Sequence, residues 1–188
     1  MAVSKDHLVV VGLMGVGKST VGRLVADRLG IAFIDNDDLL TGRTGRSAEQ
    51  IATDQGLDEL HRIEADVLAE ALDRPGSSVL TAAASVVTGG AGRAALGKAR
   101  HVVWLRDDLA AVTARVAASG QFHRPDFSPR VLREVEQQRA PLFAQVATVT
   151  VDVAGDPPEA VADRVVQAVG GELGHQTTGG EQTGTGRG

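Results

Sequence analysis

Apolar residues along this chain fall into two alternating kinds of run. Short, nearly unbroken ones lie at Leu8–Val11, Ala32–Ile34, Ser78–Ala82, Val102–Leu105 and Thr148–Val153. Runs this short, bounded by turn-forming residues, read as buried strands. Between them apolar positions recur at helical spacing. In Lys18–Leu29 they are Val21, Leu24, Val25 and Leu29, with Gly30 as the stop signal. The same reading predicts helices over Ser47–Thr53, Leu57–Leu72, Asp107–Ala118, Ser128–Val146 and Pro157–Val169. Ser128-Pro129 supplies a cap and a proline at the first helical position. Asp107 sits where the helix dipole favours a carboxylate. Pro141 is expected to kink or end its helix. The many charges of Leu57–Leu72 imply that one of its faces is exposed or lines a cleft.

Strands alternating with helices imply an α/β fold, a five-stranded parallel sheet with helices on both faces. Residues 1–170 make one domain. From 171 to 188 the chain is rich in Gly and Thr, with Leu173 its single large apolar residue. Such a tail buries too little surface to offset its ordering entropy and is expected to be disordered.

Charge and composition narrow the partners. The net charge is −5 and no basic stripe is visible, which argues against nucleic acid. Any phosphate must therefore be bound by a local device. Cysteine is absent, which rules out disulfides and thiolate metal sites and fits a reducing compartment. Met1–His7 lacks a signal-peptide pattern. No apolar run approaches the roughly 18 residues that span a bilayer. The expectation is a soluble cytoplasmic monomer with no membrane partner.

Gly12-Leu-Met-Gly-Val-Gly17-Lys18-Ser19 matches the phosphate-loop pattern, between a predicted strand and an amphipathic helix. Glycines let backbone N–H groups converge on phosphate oxygens, and the helix N-terminus faces the same anion. Gly12, Met14, Gly15, Val16, Gly17, Lys18, Ser19 and Thr20 are the candidate nucleotide contacts. Lys18 should reach the outer phosphates of ATP, and Ser19 should ligate Mg²⁺. An ordinary glycine-rich turn would not demand that context.

Asp35 and Asp37 follow the second strand. In extended geometry they point the same way, at the strand end where α/β sheets bind ligands. One could hold Mg²⁺ through water while the other takes a proton from an attacking hydroxyl. A polar turn with a helix cap at Asp37 or Asp38 explains them equally well. His7 and His175 are expected in solvent, His101 just before a strand and His123 in a solvated loop. Trp104 reads as core, and Glu64 as either a substrate-region residue or a surface charge, the surface being favoured.

With the phosphate loop, Asp35-x-Asp37 and Thr44-Gly45-Arg46-Ser47 in view, the chain resembles the shikimate kinases, P-loop proteins of the nucleoside-monophosphate-kinase-like group. The resemblance runs from about Leu8 to Val169 and includes Arg62-Ile63-Glu64, Arg124-Pro125 and Arg139-Ala140-Pro141-Leu142-Phe143. It implies a three-layer sandwich with a lid, and transfer of phosphate from ATP to the 3-hydroxyl of shikimate. Asp35 would serve Mg²⁺ and Asp37 would bind and activate the accepting hydroxyl. Arg124 would close over the transferring phosphate, Arg139 would bind the substrate carboxylate, and Arg115 lies near an adenine-stacking position. His61 stands where the family has a second carboxylate-binding Arg. Ala82-Ala83-Ala84 stand where it has three glycines, and Asp126-Phe127 where it commonly has two leucines. Losing one charge-assisted contact costs about 1.5–3 kcal/mol. A kinase for another polyol or cyclitol, or a nucleotide-binding regulatory relative without catalysis, are the competing expectations.

Overall fold

A computed structural model describes residues 6–119 and 128–170. The tail and the expected lid segment with His123, Arg124 and Asp126-Phe127 lie outside them. The element order is β1 (Leu8–Val11), α1 (Lys18–Leu29), β2 (Ala32–Ile34), α2 (Asn36–Thr44), α3 (Ala48–Gln55), α4 (Leu57–Leu72), β3 (Ser78–Thr81), α5 (Gly90–Leu96), β4 (His101–Arg106), α6 (Leu109–Ser119), α7 (Pro129–Val146), β5 (Val149–Asp152) and α8 (Pro158–Gly170). The strands form one parallel sheet ordered β2-β3-β1-β4-β5.

Side-chain alternation along β1 builds both layers. Leu8 and Val10 face one side with Val79, Val103 and Leu105, and α1 and α8 cover them through Val21, Val25, Val161 and Val165. Val9 and Val11 face the other with Leu80, Val102 and Trp104, covered by Leu68 and Leu72 of α4, Leu96 of α5 and Phe143 of α7. Strands buried on both faces need apolar residues at every position, hence the unbroken runs. Trp104 is core as expected, its ring 5.8 Å from that of Phe143.

Several expectations are corrected. Helices α2 and α5 were not legible. Pro141 does not end α7, which continues to Val146. His7 is buried rather than solvated. Its Nδ1 bonds the Ser78 hydroxyl at 2.8 Å, and its Nε2 bonds the Arg74 carbonyl at 3.0 Å. Glu64, read as a surface charge, is buried as well. His101 opens β4 rather than preceding it.

The order β2-β3-β1-β4-β5 places the end of β1 between β3 and β4, where the connections diverge to opposite sides. Crevices of this kind are where open α/β sheets bind ligands. The β1–α1 turn, the end of β2 and the segment after β3 all open there.

Candidate active site

The turn from Gly12 to Gly17 holds its shape through glycine. Gly12 has φ +147°, and a Cβ on it would stand 2.6 Å from the Leu105 carbonyl oxygen. Gly15 has φ +75°, and a Cβ there would collide with Val116 of α6. Val16 is buried and anchors the turn in the core. Helix α1 then starts from Gly17, which gives its first amides no side-chain cap. By contrast, Asp35, Ser47 and Ser128 cap α2, α3 and α7. The uncapped amides of α1 are donors left for an anion.

Lys18 lies back over this turn, its Nζ donating to the carbonyls of Gly12 at 3.1 Å and Leu13 at 3.0 Å. Burial pushes its ammonium down to a pKa of about 8, while Asp37 and then Asp35 pull it back up. A triphosphate would add to that upward pull. Behind the crown of the turn, Arg115 donates from Nε to the Gly15 carbonyl at 2.9 Å. It also pairs with Asp107, whose side chain is only 1% exposed. Arg115 is thus tied to the outside of the phosphate loop and does not line the cavity below.

A cavity of about 310 Å³ opens beside the loop. Met14, Gly15, Lys18 and Ser19 line it. So do Asp35, Asp37, His61, Ala82, Ala83, Ala84 and Arg139. Five regions of sequence therefore meet at one cavity. Gly12, Val16, Gly17 and Thr20 do not line the cavity. Gly12 and Val16 shape the turn from beneath, and Thr20 faces solvent in the first turn of α1.

The two aspartates do not share an extended segment. Asp35 caps α2, its Oδ1 accepting from the Asp37 N–H at 3.2 Å. Its Oδ2 accepts from the Ser19 hydroxyl at 2.6 Å. Asp37 rides the first turn of α2 into the same cavity. The cap reading of this acidic turn is realised, and the cap residue is Asp35, not Asp37 or Asp38. Ser19 and Asp35 are hard oxygen donors side by side, the donor type Mg²⁺ prefers while keeping waters and phosphate oxygens. Among the described residues no group of three carboxylate, imidazole or thiol side chains could hold an ion alone.

Glu64 is the residue sequence reasoning missed. It lines the cavity, and Ser85 donates its hydroxyl to it. Burial raises its carboxyl to a pKa of about 7, the Ser85 bond lowers it again, and Asp37 adds to the rise. The signal was available: Glu64 lies one turn after Leu60 and one before Leu68, on the buried stripe of α4. Asn36, also at the cavity wall, carries a buried amide with no partner among the described residues. Such a group is satisfied by ordered water or by ligand. Arg62 faces away from this stripe, paired in solvent with Glu59 and Asp66.

The family model for shikimate kinase matches residues 14–170. The chain belongs to the shikimate kinase family. It is 39% identical over 163 residues to a shikimate kinase of Mycobacterium bovis (strain BCG / Pasteur 1173P2), covering 84% of this chain and 90% of that one. It is 35% identical over 169 residues to that of Halorhodospira halophila, covering 89% and 95%. A shikimate kinase from Acinetobacter baumannii, solved in complex with shikimate, superposes with a TM-score of 0.82 at 27% identity, covering 89% and 94%. As a member of the shikimate kinase family the chain is a phosphotransferase with an alcohol acceptor. The three alanines cause no backbone strain in this shikimate kinase relative. Ala154 is the sole non-glycine residue with positive φ among those described. Each places a methyl group at the cavity wall.

Proposed function

We propose that this enzyme transfers the γ-phosphoryl group of ATP to the 3-hydroxyl of shikimate, a step in aromatic amino-acid biosynthesis. One observation carries the reading: Asp37 and Arg139 line the same small cavity as Lys18 and Ser19 of the phosphate loop. A base, an anion-binding fork and a triphosphate cradle thus converge on a space fit for a small hydroxy acid.

In this reading the loop amides and Lys18 hold the β- and γ-phosphates, and Arg139 takes the acceptor carboxylate. Asp37 orients the acceptor hydroxyl and accepts its proton as the new O–P bond forms. The bond from the γ-phosphorus to the bridging oxygen breaks, and ADP leaves. Mg²⁺, held beside Ser19 and Asp35, would neutralise charge on the phosphates. Arg124, beyond the described residues, is assigned the transferring phosphate by the family resemblance, with its segment as the lid.

The test is ADP release coupled to a panel of small alcohols. Turnover on shikimate that vanishes in Asp37→Asn is the expected result. Turnover on another polyol alone would favour the second reading, which rests on His61 and the methyls of Ala82–Ala84. ATP binding with no turnover on any acceptor would leave a nucleotide-binding module.

A further inference from the structure

The acceptor half of the cavity brings an imidazole and a buried carboxyl together. His61 and Glu64 lie on α4 at i and i+3, on one helix face, and both line the cavity. The charged groups around them come from every neighbouring element. Lys18 belongs to α1, Asp35 follows β2, Asp37 belongs to α2 and Arg139 to α7, while Ser85 after β3 is the neutral partner of Glu64. The walls supplied by α3 are Ala48 and Ala52, which carry no charge. Glu59, Arg62 and Asp66 of α4 form their own network on the opposite, solvent side.

The other four charges at the cavity sum to zero, Lys18 and Arg139 being positive and Asp35 and Asp37 negative. Lys18, which burial lowers to a pKa of about 8, is held charged through the pH range of the test by bound nucleotide phosphate. The sign met by an arriving acceptor is therefore set by His61 and Glu64. With neither protonated the pair contributes one negative charge, with one proton none, and with two protons one positive charge.

We propose that His61 and Glu64 select the acceptor by charge, an anionic acceptor entering this pocket together with a proton and a neutral one entering without. An imidazole titrates near neutral pH in its ordinary range. The Glu64 carboxyl is lifted toward the same range by burial. A carboxylate placed between them favours the protonated form of both. Binding of the anion and uptake of protons are then linked, and each must strengthen the other. Affinity for an anionic acceptor rises as pH falls, up to about tenfold per pH unit for one fully linked proton.

This inference rests on the shikimate reading, and its test separates the two. Calorimetric titration of the protein saturated with ADP and Mg²⁺ compares shikimate with its methyl ester, nearly the same shape with one charge fewer. Repeating it in buffers of different ionisation enthalpy counts the protons exchanged. Shikimate should bind with net proton uptake near pH 7 and about five- to tenfold more tightly at pH 6.5 than at pH 8.5. The ester should show neither effect. His61→Arg fixes one positive charge, so it should tighten shikimate binding most at pH 8.5 and flatten the profile. Glu64→Gln should flatten it from the other side, and half-buried His61 keeps the test available if that variant does not fold. Shikimate binding without proton uptake, or equal uptake for acid and ester, overturns the proposal alone. Binding of neither overturns the shikimate reading together with it.

Discussion

The nucleotide end and the acceptor end of this cavity are built from different material. At the proposed nucleotide end the donors are mostly backbone amides, shaped by positive-φ turns at Gly12 and Gly15 and by the uncapped start of α1, with the Lys18 and Ser19 side chains beside them. At the acceptor end they are side chains brought by α2, α4, α7 and the segment after β3. A site made of backbone can change only by moving the chain. A site made of side chains can change one residue at a time. His61 and the three alanines, all at the acceptor end, follow that difference.

The largest expected effect severs the two ends functionally. Asp37→Asn should lower turnover by roughly 10²- to 10⁴-fold, the range of a lost general base, with ATP affinity unchanged in a nucleotide titration. Equal loss of ATP binding would mean the ends are not separable. Gly12→Ala attacks the backbone end. Its Cβ meets the Leu105 carbonyl in a strained conformation, so ATP affinity should fall about ten- to a hundredfold and thermal stability with it. Arg139→Lys keeps the charge and loses the fork, and should raise the acceptor KM about tenfold while leaving that for ATP in place.

Smaller effects sharpen the comparison. Asp107 touches no cavity atom but holds Arg115 on the Gly15 carbonyl. Asp107→Asn should weaken ATP about three- to tenfold with the acceptor KM unchanged, as expected for loss of one supporting ion pair. Glu64→Gln should show a pH signature in stability. The folded carboxyl titrates at about 7 against an ordinary 4.5. Between those values the folded state binds more protons than the unfolded state, so stability falls as pH rises through the window. The Gln variant removes that slope, and its melting temperature should exceed that of the parent by about 2–4 °C at pH 8. A parallel pH dependence in both proteins would remove Glu64 as the cause.

Much of the nucleotide end was legible because a phosphate loop is written in consecutive residues. Glycines, a lysine and a hydroxyl at fixed spacing are enough. The acceptor end was only partly legible. Asp37 stood out by its place after the second strand, His61 and Arg139 came through family resemblance, and Glu64 was misread although it sits on an apolar helical stripe. Helix α2 was obscured by its own cap, since Asp35-Asn36-Asp37-Asp38 looks like a polar turn until the chain after it is seen to coil. Helix α5 begins in glycines and has little amphipathic pattern. His7 was lost for a simpler reason: its partners, Arg74 and Ser78, lie some seventy residues away.

The Lys18 ammonium rests on two carbonyls of the loop and the Ser19 hydroxyl on Asp35. Groups that serve phosphate and cation are already engaged, so a nucleotide must exchange bonds rather than simply acquire them. A small anion such as inorganic phosphate cannot replace all of these bonds at once and gains little by displacing a few. Discrimination by ligand length is the expected consequence, and a solution rich in free phosphate should leave the loop open to ATP.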